Sequence, residues 1–120
     1  MKKLFLLLVT TFLLIGCSSN DESIYDYIGT WSGTYEGSDK GLWNFVVADD
    51  GKVTGTMHSE THNENYNISG HLNNSGQLVA RVGLPADGEF NGTLADKKGN
   101  GNWDNNLPKP TRTGTWTGER

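Results

Sequence analysis

The chain has 120 residues, with 10 Lys and Arg against 14 Asp and Glu, a formal net charge of −4 and a pI near 5.2. That length suits one domain rather than two, and an acidic balance without a basic cluster excludes the electrostatic footprint of a nucleic-acid binder. Cys17 is the single cysteine, so an internal disulfide, a CxxC redox pair and a zinc knuckle are all excluded.

Lys2 and Lys3 precede a nearly unbroken apolar run from Leu4 to Ile15, followed by Gly16 and Cys17. The order of a basic start, an apolar core and a small residue is that of an export signal. A run of 12 residues is too short to span a bilayer, which needs roughly 20 apolar residues. Leu14-Ile15-Gly16-Cys17 resembles the lipobox of bacterial lipoproteins. The resemblance implies a signal peptide over 1–16, cleavage between Gly16 and Cys17, and diacylglyceryl and palmitate chains on Cys17. Two or three acyl chains at about 0.8 kcal/mol per buried methylene make attachment to the lipid bilayer stable.

Removing residues 1–16 leaves 104 residues and, with Lys2 and Lys3 gone, 8 basic against 14 acidic groups, a net charge of −6. Residues 17–26 are polar and acidic after the cysteine and lack periodicity, so they read as a lipidated flexible tether. Asp21-Glu22 resembles the acidic signal that sends some lipoproteins to the outer cell surface. The expected location is therefore the cell envelope, on the outer membrane and in one reading surface-exposed.

A single domain is expected over 27–120. Within it a five-residue unit recurs, with an apolar residue at each end and glycine in the centre. The copies are Trp31-Ser-Gly33-Thr-Tyr35, Val53-Thr-Gly55-Thr-Met57, Ile68-Ser-Gly70-His-Leu72, Phe90-Asn-Gly92-Thr-Leu94 and, imperfectly, Trp116-Thr-Gly118-Glu-Arg120. In an extended strand i, i+2 and i+4 share a face, so each unit places two large side chains and a glycine inward. Glycine between two inward residues lets a strand coil sharply or lets an aromatic from across the core approach the backbone. Asp50-Gly51 and Asn74-Ser75-Gly76 are hairpin signals, and Asn105 to Arg112, with Pro108 and Pro110, reads as a loop.

Eight strands are expected, at about 28–36, 41–48, 52–59, 65–72, 77–84, 88–95, 100–104 and 113–119, and no segment has helical period. Sequential strands with short turns predict an all-β antiparallel meander closing into a small barrel, eight being the number at which a sheet closes around side chains or one small ligand. A two-sheet β-sandwich is the alternative.

Gly29-Thr30-Trp31, Phe45-Val-Val, Asp50-Gly51, Val53-Thr-Gly-Thr and Ile68-Ser-Gly70 are similar to the opening of lipocalin-like and avidin-like barrels, where a Gly-x-Trp marks the first strand and plugs the closed end. A biotin site does not carry over. Ser59 and Asn63 stand where polar contacts would fall, but Met57 replaces the expected tyrosine. The resemblance implies a fold and no ligand.

His58-Ser-Glu60-Thr-His62-Asn-Glu64 is the densest set of metal-ligand types, yet on a strand end four residues span about 13 Å, so one ion does not readily take both histidines. Asn100-Gly-Asn102-Trp-Asp104 alternates oxygen side chains like a calcium loop but lacks the glycine and glutamate that such loops need. No metal and no cofactor are therefore assigned. No nucleophile, histidine and carboxylate form a recognisable set, and the chain is read as a non-enzyme.

Trp43, Phe45 and Trp103 are the candidate binding residues. Leu42 to Ala48 is apolar on both faces, with Trp43, Phe45 and Val47 on one and Leu42, Val46 and Ala48 on the other. One face must fill the barrel and the other is left for a ligand, a partner or a folded-over loop. The leading reading is a monomeric, membrane-anchored, non-enzymatic barrel binding an unknown small molecule, glycan or protein. The alternative is a structural or accessory envelope protein with a solid core, and an envelope hydrolase ranks last.

Overall fold

A computed structural model describes residues 23–83, 87–106 and 109–120. The proposed signal peptide and the first part of the tether lie outside the described residues, as do Leu84, Leu107 and Pro108. The described chain opens on a 3-10 turn, Ile24–Asp26, whose N-cap Ser23 accepts a hydrogen bond from the Tyr25 amide. The last residues expected to be flexible tether are thus a structured cap: 17–26 has no long-range periodicity, but a serine N-cap suffices to start one short turn.

Eight strands follow: β1 Gly29–Gly37, β2 Gly41–Val47, β3 Lys52–Ser59, β4 Glu64–Leu72, β5 Gln77–Val82, β6 Gly88–Ala95, β7 Lys98–Asn105 and β8 Arg112–Glu119. Each pairs antiparallel with the next, and β8 returns to pair with β1 from Ser32↔Glu119 to Gly37↔Gly114, closing the barrel. The sandwich alternative is thereby excluded, and no strand among the described residues is left with an open edge. Compared with the sequence expectation, β7 starts earlier, because only a two-residue turn at Asp96-Lys97 separates it from β6, and ends one residue later, with Asn105 paired to Gly88 and Arg112. Asp96 there takes a left-handed φ of 60°, which aspartate tolerates.

Burial alternates along every strand, strictly so in β2, where Trp43, Phe45 and Val47 point in while Leu42, Asn44 and Val46 point out. The central glycines of the recurring unit face inward, as period two requires. A Cβ on Gly55 would overlap the Asn44 carbonyl oxygen and lie 2.5 Å from Phe45 Cα. One on Gly92 would lie 2.5 Å from Cζ2 of the Trp116 indole. Both uses of glycine are present: close passage of neighbouring backbones and room for a ring.

The barrel has two distinct poles. At the first, the 3-10 turn crosses the end, the Trp31 indole donates to the Tyr27 carbonyl at 2.8 Å, and the Arg120 guanidinium lies 5.6 Å from the Trp31 ring while donating to the Ile28 carbonyl. The turns at 48–51, 73–76 and 96–97 surround this pole. At the second pole lie the connections 38–40 and 60–63 and the described residues Gly83, Asp87, Asn106 and 109–111 of the other two.

Candidate functional site

The interior is a packed aromatic core. Trp43 stacks on Phe45 with ring centroids 4.9 Å apart and meets Trp116 edge-on at 5.2 Å, while Phe90 stacks on Trp116 at 4.6 Å. Aromatic pairs at these separations are in favourable contact. Trp43 is 1% exposed, Phe45 0% and Trp103 3%. All three sequence candidates are therefore inside the barrel rather than on an open face. Their polar edges are spent on the protein itself: Trp43 Nε1 donates to the Thr34 and Thr117 carbonyls, and Trp103 Nε1 to that of Glu36. The face of β2 left unpacked is instead the one bearing Leu42 and Val46, which are exposed.

The second pole is closed by a buried polar cluster. Asp39 sits on the β1–β2 connection, Ser59 ends β3, Arg112 begins β8 and Tyr35 lies on the inner face of β1. Arg112 Nη1 donates to Asp39 Oδ2 at 2.9 Å, with side-chain exposures of 6% and 1%. The Ser59 hydroxyl donates to the same oxygen at 2.7 Å and accepts the His62 amide at 3.1 Å. The Lys40 amide donates to Asp39 Oδ1, the Tyr35 hydroxyl to the His58 carbonyl, and the Arg112 guanidinium lies 5.6 Å from the Tyr66 ring.

Burial pushes the Asp39 carboxyl up, but hydrogen bonds from Ser59, Thr61 and the Lys40 amide, together with the Arg112 charge, outweigh it and hold the carboxyl below its ordinary value. Burial pushes the Tyr35 phenol well above its ordinary value and the neighbouring Asp39 charge adds to this, against partial relief from Ser59 and Arg112. The cluster is thus one fixed carboxylate neutralised by one guanidinium. A carboxylate with a depressed pKa is a poor base, and the fully buried Ser59 is bonded to it directly, with no imidazole between them. The arrangement ties three connections together and offers no activated nucleophile.

The other sequence candidates fall on the outside. His58 Nδ1 is 2.8 Å from Asn65 Oδ1 on the neighbouring strand. Among the described residues no group of three or more His, Cys, Asp or Glu could hold a metal ion. Asn100, Asn102 and Asp104 lie on the outer side of an extended β7 rather than around a loop, and Asp104 Oδ1 accepts the Glu89 amide. Recesses occur on the outer surface: a trough of about 540 Å³ over β1, β8 and β7 between Ser32, Thr34 and Asn100, and a groove of about 580 Å³ at the first pole beside Tyr25, Asp26 and Asp96.

Sequence reasoning missed the Asp39–Arg112 pair, since both residues stand beside turns and share no pattern. The one available signal was a charged residue at an inward position: Arg112-Thr-Gly114-Thr-Trp116 is another copy of the five-residue unit, with arginine in an apolar place. Compared with protein-family models, curated proteins and solved structures, the chain matches none.

Proposed function

We propose that the protein is a lipid-anchored, non-enzymatic barrel of the cell envelope that acts through its outer surface and its end loops, not by enclosing a ligand. The observation that carries the outer-surface reading is the filled interior, where Trp43, Phe45, Phe90 and Trp116 occupy the space that a lipocalin-like or avidin-like ligand would need. Between the two readings drawn from the sequence, this favours the accessory barrel with a solid core over a small-molecule carrier. A glycan or protein partner remains compatible with it, since either could meet the wall. The exposed Leu42 and Val46 supply an apolar element on that wall.

The anchor rests on Leu14-Ile15-Gly16-Cys17 following a basic and apolar leader. Growth with radiolabelled palmitate tests it. Label is expected on the wild-type chain and not on Cys17→Ala, whose precursor remains uncleaved. Label retained by the alanine variant would overturn the anchor.

A further inference from the structure

We propose that the first pole of the barrel, the one crossed by the 3-10 turn, is a membrane-docking surface for zwitterionic phospholipid headgroups, with Tyr25 seated among them. The proposal rests on acylation of Cys17 and specifies how the anchored domain stands. Cys17 and Ser23 are six residues apart, a span of at most about 20 Å. The described chain therefore begins within reach of the bilayer, at this pole and no other.

Three features of the pole suit that position. Tyr25 is 70% exposed, more than Leu42, Val46 or Val79, and it lies on the turn nearest the anchor. Tyrosine has an apolar ring with a polar tip and concentrates at the bilayer–water interface for that reason. The groove beside it is bordered by the exposed Asp26, Asp96 and Arg120, with Tyr27 and Leu94 buried beneath them. It thus offers carboxylates for an ammonium and a guanidinium for a phosphate, the two charges of a phosphoethanolamine headgroup.

The charge of the whole pole agrees. Asp26, Asp49, Asp50, Asp96 and Glu119 stand at this pole with Lys52, Lys97, Lys98 and Arg120, a near balance that gives no attraction to an anionic surface and no strong repulsion from a zwitterionic one. The described connections of the second pole carry no exposed large hydrophobic side chain. Docking by the first pole leaves the loops tied by Asp39 and Arg112 facing away from the membrane.

The test uses the mature chain, residues 17–120, coupled through the Cys17 thiol to a maleimide phospholipid in phosphatidylethanolamine-containing nanodiscs doped with a headgroup nitroxide lipid. Chemical coupling makes the result independent of cellular acylation, which the palmitate experiment reads separately. Amide resonances of Tyr25, Ser75 and Asp96 are expected to broaden, while those of Ser38, Thr61 and Asn106 keep their intensity. In Tyr25→Ala/Asp96→Asn, both exposed changes, the contrast between poles should fall at least twofold with the dispersed spectrum retained. Exchanging the zwitterionic lipid for phosphatidylglycerol should weaken it as well. Equal broadening at both poles of the wild type, or an undiminished contrast in the double variant, would overturn the proposal, the second result assigning the orientation to the tether alone.

Discussion

Replacing Trp43 by alanine separates a core tryptophan from a binding tryptophan. The indole is 1% exposed, stacks on Phe45, meets Phe90 and Trp116 edge-on, and gives its N–H to two backbone carbonyls. Truncation removes all three ring contacts and leaves a cavity that neighbouring strands, fixed by closed pairing, cannot collapse into. Such a change costs roughly 3–5 kcal/mol, and the upper half of that range is expected here because the ring lies between others. For a domain of about 100 residues stable by roughly 5–15 kcal/mol, that is about a quarter or more of the total. It corresponds to a fall in Tm of more than about 12 °C. Equilibrium urea unfolding followed by far-ultraviolet circular dichroism measures it. A loss below about 1 kcal/mol would refute the packed-core reasoning and return Trp43 to the list of binding residues.

Leu42→Ser and Val46→Ser, on the opposite face of the same strand, are expected to shift stability by no more than about 0.5 kcal/mol, and larger losses in the same unfolding experiment would mean that something covers that face. Gly92→Val should destabilise by at least roughly 1–3 kcal/mol, since its Cβ would meet the Trp116 ring and the Asn100 carbonyl; an unchanged urea midpoint would contradict this. Asp39→Ala should cost roughly 3–5 kcal/mol by leaving the buried Arg112 without its carboxylate, and the double change Asp39→Leu/Arg112→Met should recover much of that loss. Because the folded state lowers the Asp39 pKa, its contribution is complete above the unfolded value of about 3.9 and disappears as pH falls below it through the folded value, so wild-type stability should drop there more steeply than that of Asp39→Asn. Tyr35, whose pKa is raised, contributes in full below about 10 and progressively less as pH rises beyond that, which Tyr35→Phe should abolish.

The fold was legible because a closed barrel imposes one local rule throughout. Inward and outward residues alternate, so Trp31-Ser-Gly33-Thr-Tyr35 and its repeats announce both the strand and its buried face. Asp50-Gly51 and Asn74-Ser75-Gly76 marked turns whose glycines take φ near 90°, as those signals imply. β2 was ambiguous for a physical reason: with Leu42, Trp43, Phe45, Val46 and Val47 all apolar, alternation alone could not say which face was inside. Size resolves it, since only the Trp43 face fills a barrel of this width. The polar closure at the second pole was not legible. Asp39 and Arg112 are 73 positions apart and meet only because β8 returns beside β1. The 3-10 turn escaped for the opposite reason, three residues being too few to carry any period.

The central claim is that the barrel interior is full, on which the proposal of action through the outer surface rests. Crystals of residues 17–120 under xenon pressure test this most directly, because xenon enters dry apolar cavities inside proteins. The account predicts no xenon within the ring formed by Trp43, Phe45, Phe90 and Trp116. An ordered xenon site there would contradict it and reopen the barrel as a ligand chamber.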